Sequence, residues 1–136
     1  MISDEISFRP RYNEVDKMGY VYHANYVTYC HMARTELLRK IGLEDSKLEE
    51  MKLMMPVIDM HLKYIKPAHY DEVLKIQTSV LEIPKIRFKF EFDFFNEHNQ
   101  KICSAQSTLV FTDSETRKPI KVPPFIIGIL SNIHYL

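Results

Sequence analysis

The chain has 136 residues, within the span of one domain, and no compositional shift marks a linker, so residues 1–136 are read as a single unit. A hydrophobic fraction of 46% with eight Phe and eight Tyr is enough for a packed core and excludes a disordered or low-complexity chain. Lys plus Arg equals Asp plus Glu at 18 each, which excludes the global positive field that draws proteins to nucleic acid or anionic membranes; any anionic ligand has to be gripped locally.

The start, Met1-Ile2-Ser3-Asp4-Glu5, is acidic and lacks the basic and apolar regions of a signal peptide. The two cysteines, Cys30 and Cys103, form no CxxC pair and are too few for a disulfide framework, which predicts buried thiols in a cytoplasmic protein. A short first strand is predicted at Ile6 to Arg9. Tyr26, Cys30, Ala33, Leu37 and Ile41 recur at steps of three and four, predicting one long amphipathic helix with Arg34, Thr35, Arg39 and Lys40 turned away. Gly42 ends it at the C′ position, where positive φ costs least. Ser46 to Met54 reads as a short second helix before Pro56.

Strands follow. Val57 to Ile65 is bounded by Pro56 and by Pro67-Ala68, and Glu72 to Ile83 alternates Leu74, Ile76, Thr78 and Val80 against Lys75, Gln77 and Ser79. Arg87 to Phe94 is the clearest strand: Phe88, Phe90, Phe92 and Phe94 alternate with Arg87, Lys89, Glu91 and Asp93, so one face must be buried and the other wet. A turn at Asn96 to Gln100 leads to Lys101 to Thr112, whose Cys103, Ala105 and Ser107 make a small-residue face. Val122 to Leu136 falls short of the ~20 residues a membrane span needs and contains two prolines, so it reads as a packed terminal helix opened by Pro124. One long helix with a run of antiparallel strands predicts an α+β domain whose sheet wraps the helix.

The chemistry concentrates in Arg11 to Tyr26. Asp16, then Gly19, then Tyr22, His23 and Asn25 make a loop that runs into a helix N-terminus, where free N–H groups carry partial positive charge. Backbone amides around Tyr22 and His23 are candidate donors to the oxygen of a thioester, and Asp16 is a candidate to attack its carbon or direct a water at it. A thioester suits so weak a nucleophile because thiolate leaves readily. The competing reading makes Asp16 a loop residue that satisfies turn amides; under either, Asn25 is the expected N-cap. Glu36 is read either as a carboxylate inside the curl or as the partner of Arg39 or Lys40 one turn on. Tyr26 and Tyr29 are assigned to packing. The six histidines show no HxxxH or HExxH spacing, and there is no GxGxxG or P-loop, so no metal and no cofactor are expected. Lys85 and Arg87, before the phenylalanine strand, suit edge-strand charges that oppose aggregation.

Asp16-x-x-Gly19-x-x-x-His23-x-Asn25-Tyr26, with Ala33-Arg34-Thr35-Glu36 and Tyr64-Ile65-Lys66-Pro67-Ala68-x-x-Asp71, resembles the signature of hotdog-fold acyl-CoA thioesterases of the 4-hydroxybenzoyl-CoA thioesterase type, nearest the branch with the Tol–Pal-associated enzymes. The resemblance continues from Asp113 to Pro123. It implies a sheet curled around a central helix, a homodimer or homotetramer joined through sheet edges, and active sites between subunits. Asp16 then matches the catalytic aspartate, and His23 the position whose amide meets the thioester carbonyl. Lys85 and Arg87 fall near positions that contact CoA phosphates. The implied substrate is an acyl-CoA or acyl-carrier-protein thioester, with CoA as part of the substrate; Met18 and Tyr20 are larger than the residues that commonly flank this glycine. A hotdog dehydratase using His23 and Glu36, and a non-catalytic acyl-thioester-binding module, stand as rival functions.

Overall fold

The structure is a computed structural model that describes residues 2–134; the predicted terminal element extends two residues beyond them. Strand β1 covers Ile2–Phe8, and a 3-10 turn at Tyr12–Glu14 opens the loop to helix α1, Asn25–Lys40. Helix α2 (Asp45–Glu50) and the short β2 (Leu53–Met54) precede β3 (Val57–Tyr64), β4 (Leu74–Val80), β5 (Arg87–Phe95), β6 (Lys101–Asp113), β7 (Pro119–Ile120) and helix α3 (Pro124–His134). All pairings are antiparallel, in the order β1-β4-β5-β6, with β3 on the far edge of β6 and the short β2 and β7 on its C-terminal end.

The period-two pattern fixes which face is dry. Phe88, Phe90, Phe92 and Phe94 are wholly buried while Arg87 and Lys89 are exposed, and Leu74, Ile76, Thr78 and Val80 of β4 face the same core. Register matches the faces: Ile76 lies opposite Phe94, and Phe90 opposite Ser107. Helix α1 buries Tyr26, Tyr29, Cys30, Ala33 and Leu37 in the same cluster. Both cysteines are buried and free, and burial pushes both thiols above their ordinary range. The helix stops at Gly42 (φ +85°), where the Gly42 and Leu43 amides donate to the Arg39 and Leu38 carbonyls and close off the last turn.

Three expectations are corrected. The first strand begins at Ile2 rather than Ile6, because pairing from Ile2 with Val80 to Phe8 with Leu74 supplies backbone bonds that the acidic Ser3-Asp4-Glu5 gives no local sign of. The second helix ends at Glu50: Lys52 takes φ 58°, and Leu53-Met54 turns into a strand against Asp113 and Thr112. Arg34 is not turned away. It is only 8% exposed, because α2 and β2 cover a second flank of α1, and it bonds His31 Nδ1 at 2.7 Å.

The phenylalanine strand carries the core. Phe90→Ala is expected to cost about 3–5 kcal/mol through lost burial and the cavity left, read as a shift in the denaturant midpoint with an unchanged slope.

Candidate active site

The loop between β1 and α1 is a small hairpin folded back on the helix start. Asp16 N–H donates to the Tyr20 carbonyl at 2.8 Å, Gly19 N–H to the Asp16 carbonyl at 3.0 Å, and Val15 bridges Val21. Gly19 takes φ +81°, the left-handed conformation this tight reversal needs. Asp16 Oδ1 accepts the amides of Met18 at 2.9 Å and Tyr20 at 3.2 Å. One carboxylate oxygen is therefore spent on the turn, and Oδ2 has no protein donor among the described residues.

Glu14, which the sequence reading passed over, organises this loop. Its carbonyl accepts both Tyr22 N–H at 2.9 Å and Asn25 Nδ2 at 2.8 Å. Its carboxylate Oε1 accepts Arg11 N–H at 2.7 Å and the Tyr29 hydroxyl at 3.2 Å. Two expectations change as a result. Asn25 is the first helical residue rather than the N-cap, a place taken by Ala24, because its amide reaches back to Glu14 instead of over the first turn. The Tyr22 amide is occupied by Glu14, so it is not available to an oxyanion. The amides of His23 and Ala24 have no protein acceptor among the described residues, and these are the free donors at the helix start.

Beside them lies an open cleft of about 280 Å³ lined by Val21, His23, Tyr26, Tyr64, Ile65, Lys66 and Pro67. Tyr64 donates its hydroxyl to the His23 carbonyl at 2.8 Å and meets Tyr26 edge-on at 5.2 Å. Asp16 does not line this cleft, although its turn is tied to the same wall through Val21 N–H on the Ala68 carbonyl and the Tyr20–His69 bridge. Asp16, Gly19, Tyr22, His23 and Asn25 thus converge at one end of the sheet. Lys85 and Arg87 do not join them. They line, with Lys89, a cleft of about 550 Å³ over the β4–β5 connection, past the opposite end of β4. At ~3.3 Å per strand residue the two ends of β4 are about 20 Å apart. Glu36 pairs with Arg39 one turn on and, within one chain, is not brought to His23. Among the described residues no three His, Cys, Asp or Glu side chains cluster as metal ligands, and no helix is long and apolar enough to cross a membrane.

Residues 10–130 match the thioesterase-like superfamily. The chain belongs to it. The acyl-CoA thioester hydrolase YbgC of Escherichia coli is 31% identical over 120 residues, covering 88% of this chain and 90% of that protein. The 1,4-dihydroxy-2-naphthoyl-CoA hydrolase of Thermosynechococcus vestitus is 22% identical over 111 residues, 81% of this chain and 76% of that one. The crystal structure of the DHNA-CoA thioesterase from Staphylococcus aureus superposes with a TM-score of 0.92 at 29% identity, covering 100% of this chain and 93% of that one. The thioesterase-like superfamily accounts for the fold: this is the hotdog arrangement, a curled antiparallel sheet around one long helix.

The tyrosines at the helix start are titration markers. Burial raises the Tyr26 hydroxyl from about 10 to about 12, and burial with the adjacent Glu14 carboxylate pushes Tyr29 up as well. A fold that raises the pKa of an acid favours its neutral form, so this stability is complete below about pH 10 and lost as pH rises through about 12. Urea midpoints should fall across that window, and Tyr26→Phe should show a shallower fall than wild type.

Proposed function

We propose that the chain hydrolyses an acyl-CoA thioester to the free acid and CoA, with Asp16 as the central carboxylate. The observation that carries the reading is the pair of unoccupied amides at His23 and Ala24, held beside the Asp16 turn by the Glu14 carbonyl, in a chain of the thioesterase-like superfamily. Charge develops on the thioester oxygen as the carbon becomes tetrahedral, and fixed N–H dipoles at a helix start stabilise that charge without reorganising. Asp16 Oδ2 supplies the other half, either by attacking the carbon or by taking a proton from the attacking water. In the first route the C–S bond breaks as an anhydride forms on Asp16, which water then cleaves to the acid and the free carboxylate; in the second, water adds to the carbonyl and the C–S bond breaks directly. In both the thiolate leaves and is protonated. The relatives described above, named as acting on CoA thioesters, support CoA as the thiol. CoA enters as part of the substrate, and the chemistry needs no separate cofactor or metal. The reading fits a cytoplasmic enzyme.

Lys85 and Arg87 are assigned to CoA phosphates across a subunit boundary. Strand β3 pairs only with β6 among the described strands, so its other edge is open; Val57, Ile58 and Tyr64 are exposed on it, with Ile65 just past its end, alongside the polar Asp59, His61 and Lys63. An open edge with exposed apolar side chains offers a place for a second copy to pair. Antiparallel pairing of two β3 strands about a two-fold axis sets the Tyr64 end of one against the Val57 end of the other. The Lys85 and Arg87 end of one protomer then shares an end of the joined sheet with the Asp16 loop of its partner. That arrangement removes the separation found within one chain.

A panel of aromatic and aliphatic acyl-CoAs with detection of free thiol tests the hydrolysis. Asp16→Asn should lower turnover more than ~100-fold with little change in Tm; turnover like wild type removes Asp16 from its role. Sedimentation should give twice the chain mass or a multiple of it, and a monomer with full activity would remove Lys85 and Arg87 from the site.

A further inference from the structure

The two free amides are not held alike. The His23 carbonyl and the Ala24 N–H belong to one peptide group, and peptide planarity makes them antiparallel, so whatever fixes the carbonyl aims the amide. From α1 that carbonyl accepts only Tyr26 N–H at 3.4 Å, a long bond. The Tyr64 hydroxyl, at 2.8 Å, is the short donor. It comes from outside the helix, from the last residue of β3, which is fixed in the sheet opposite Cys103.

We propose that Tyr64 is a positioning residue that aims the Ala24 amide at the developing oxyanion, a role that rests on the hydrolase reading above. The bond runs from a strand to the free end of a helix, and the aromatic ring is steadied independently by its edge-on contact with Tyr26. Tyr64 lines a cleft with His23, and its hydroxyl stands on the carbonyl side of the peptide, so the Ala24 amide faces the other way, toward the open end of the helix. Loss of the hydroxyl leaves the ring, the strand and the helix in place while freeing the peptide to tilt. The effect is therefore on the transition state and not on ground-state binding, which separates it from a packing role.

Steady-state kinetics on Tyr64→Phe with the best acyl-CoA of the panel should show kcat about tenfold lower, with KM within about twofold and Tm unchanged. Tyr64→Leu, which also loses the ring, should lower Tm as well. In amide proton–nitrogen NMR spectra of Tyr64→Phe, the Ala24 amide should be the most displaced resonance. An unchanged kcat, a loss carried by KM or Tm, or an unmoved Ala24 amide overturns the proposal. If wild type released thiol from none of the acyl-CoAs, the hydrolase reading would fail, and the oxyanion role of Tyr64 with it; the NMR comparison would then decide only whether Tyr64 holds that peptide.

Discussion

The site depends on one carbonyl. Glu14 O accepts a main-chain amide from Tyr22 and a side-chain amide from Asn25, so a single oxygen joins the Asp16 hairpin to the first residue of the long helix. A carbonyl has two lone pairs, and both are used here. With Tyr22 N–H consumed, the first amides free to bind a ligand are those of His23 and Ala24, and the Asp16 turn is held beside them. The Glu14 carboxylate repeats the pattern by joining Arg11 N–H to Tyr29 in the helix. One residue with four accepted bonds thereby fixes a helix start that has no side-chain cap bond, and it does so while leaving the helix end open.

Much of this could be read from the residues, and where it could not there is a physical reason. The phenylalanine strand and the long helix were legible because each shows one period with one buried face, and Gly42 because a helix end with positive φ has a residue preference. The Asp16-x-x-Gly19 turn was legible on the same ground. Arg34 was misplaced because periodicity within α1 reports one core face, and the second covering layer comes from α2 and β2, more than ten residues away in sequence. The role of Glu14 left no signal, since two of its four bonds use the backbone oxygen that every residue carries. Asn25 carried a misleading signal: an Asn at a helix start reads as a cap, and only the folded loop shows that Glu14 O lies nearer to its amide.

The separation of Lys85 and Arg87 from Asp16 follows from the same sheet geometry. In an antiparallel sheet, successive connections alternate between the two ends, so the β1–α1 loop and the β4–β5 connection fall at opposite ends of one chain. No side-chain rearrangement closes about 20 Å. A ligand with a reactive thioester at one end and phosphates at the other would meet both contacts only if, as proposed above, a second copy brought its cationic cleft to the Asp16 end of a joined sheet.

Strand β3 is the element where the proposed assembly and the proposed chemistry would meet. Its outer edge is unpaired among the described strands and exposes Asp59, His61 and Lys63 beside Val57 and Ile58, its inner edge is bonded to β6, and its last residue reaches the His23 carbonyl. An edge strand is the least restrained part of a sheet, because only one of its two sides is hydrogen-bonded. Pairing that side with a second copy would restrain Tyr64 through its own backbone, and through Tyr64 the peptide of Ala24.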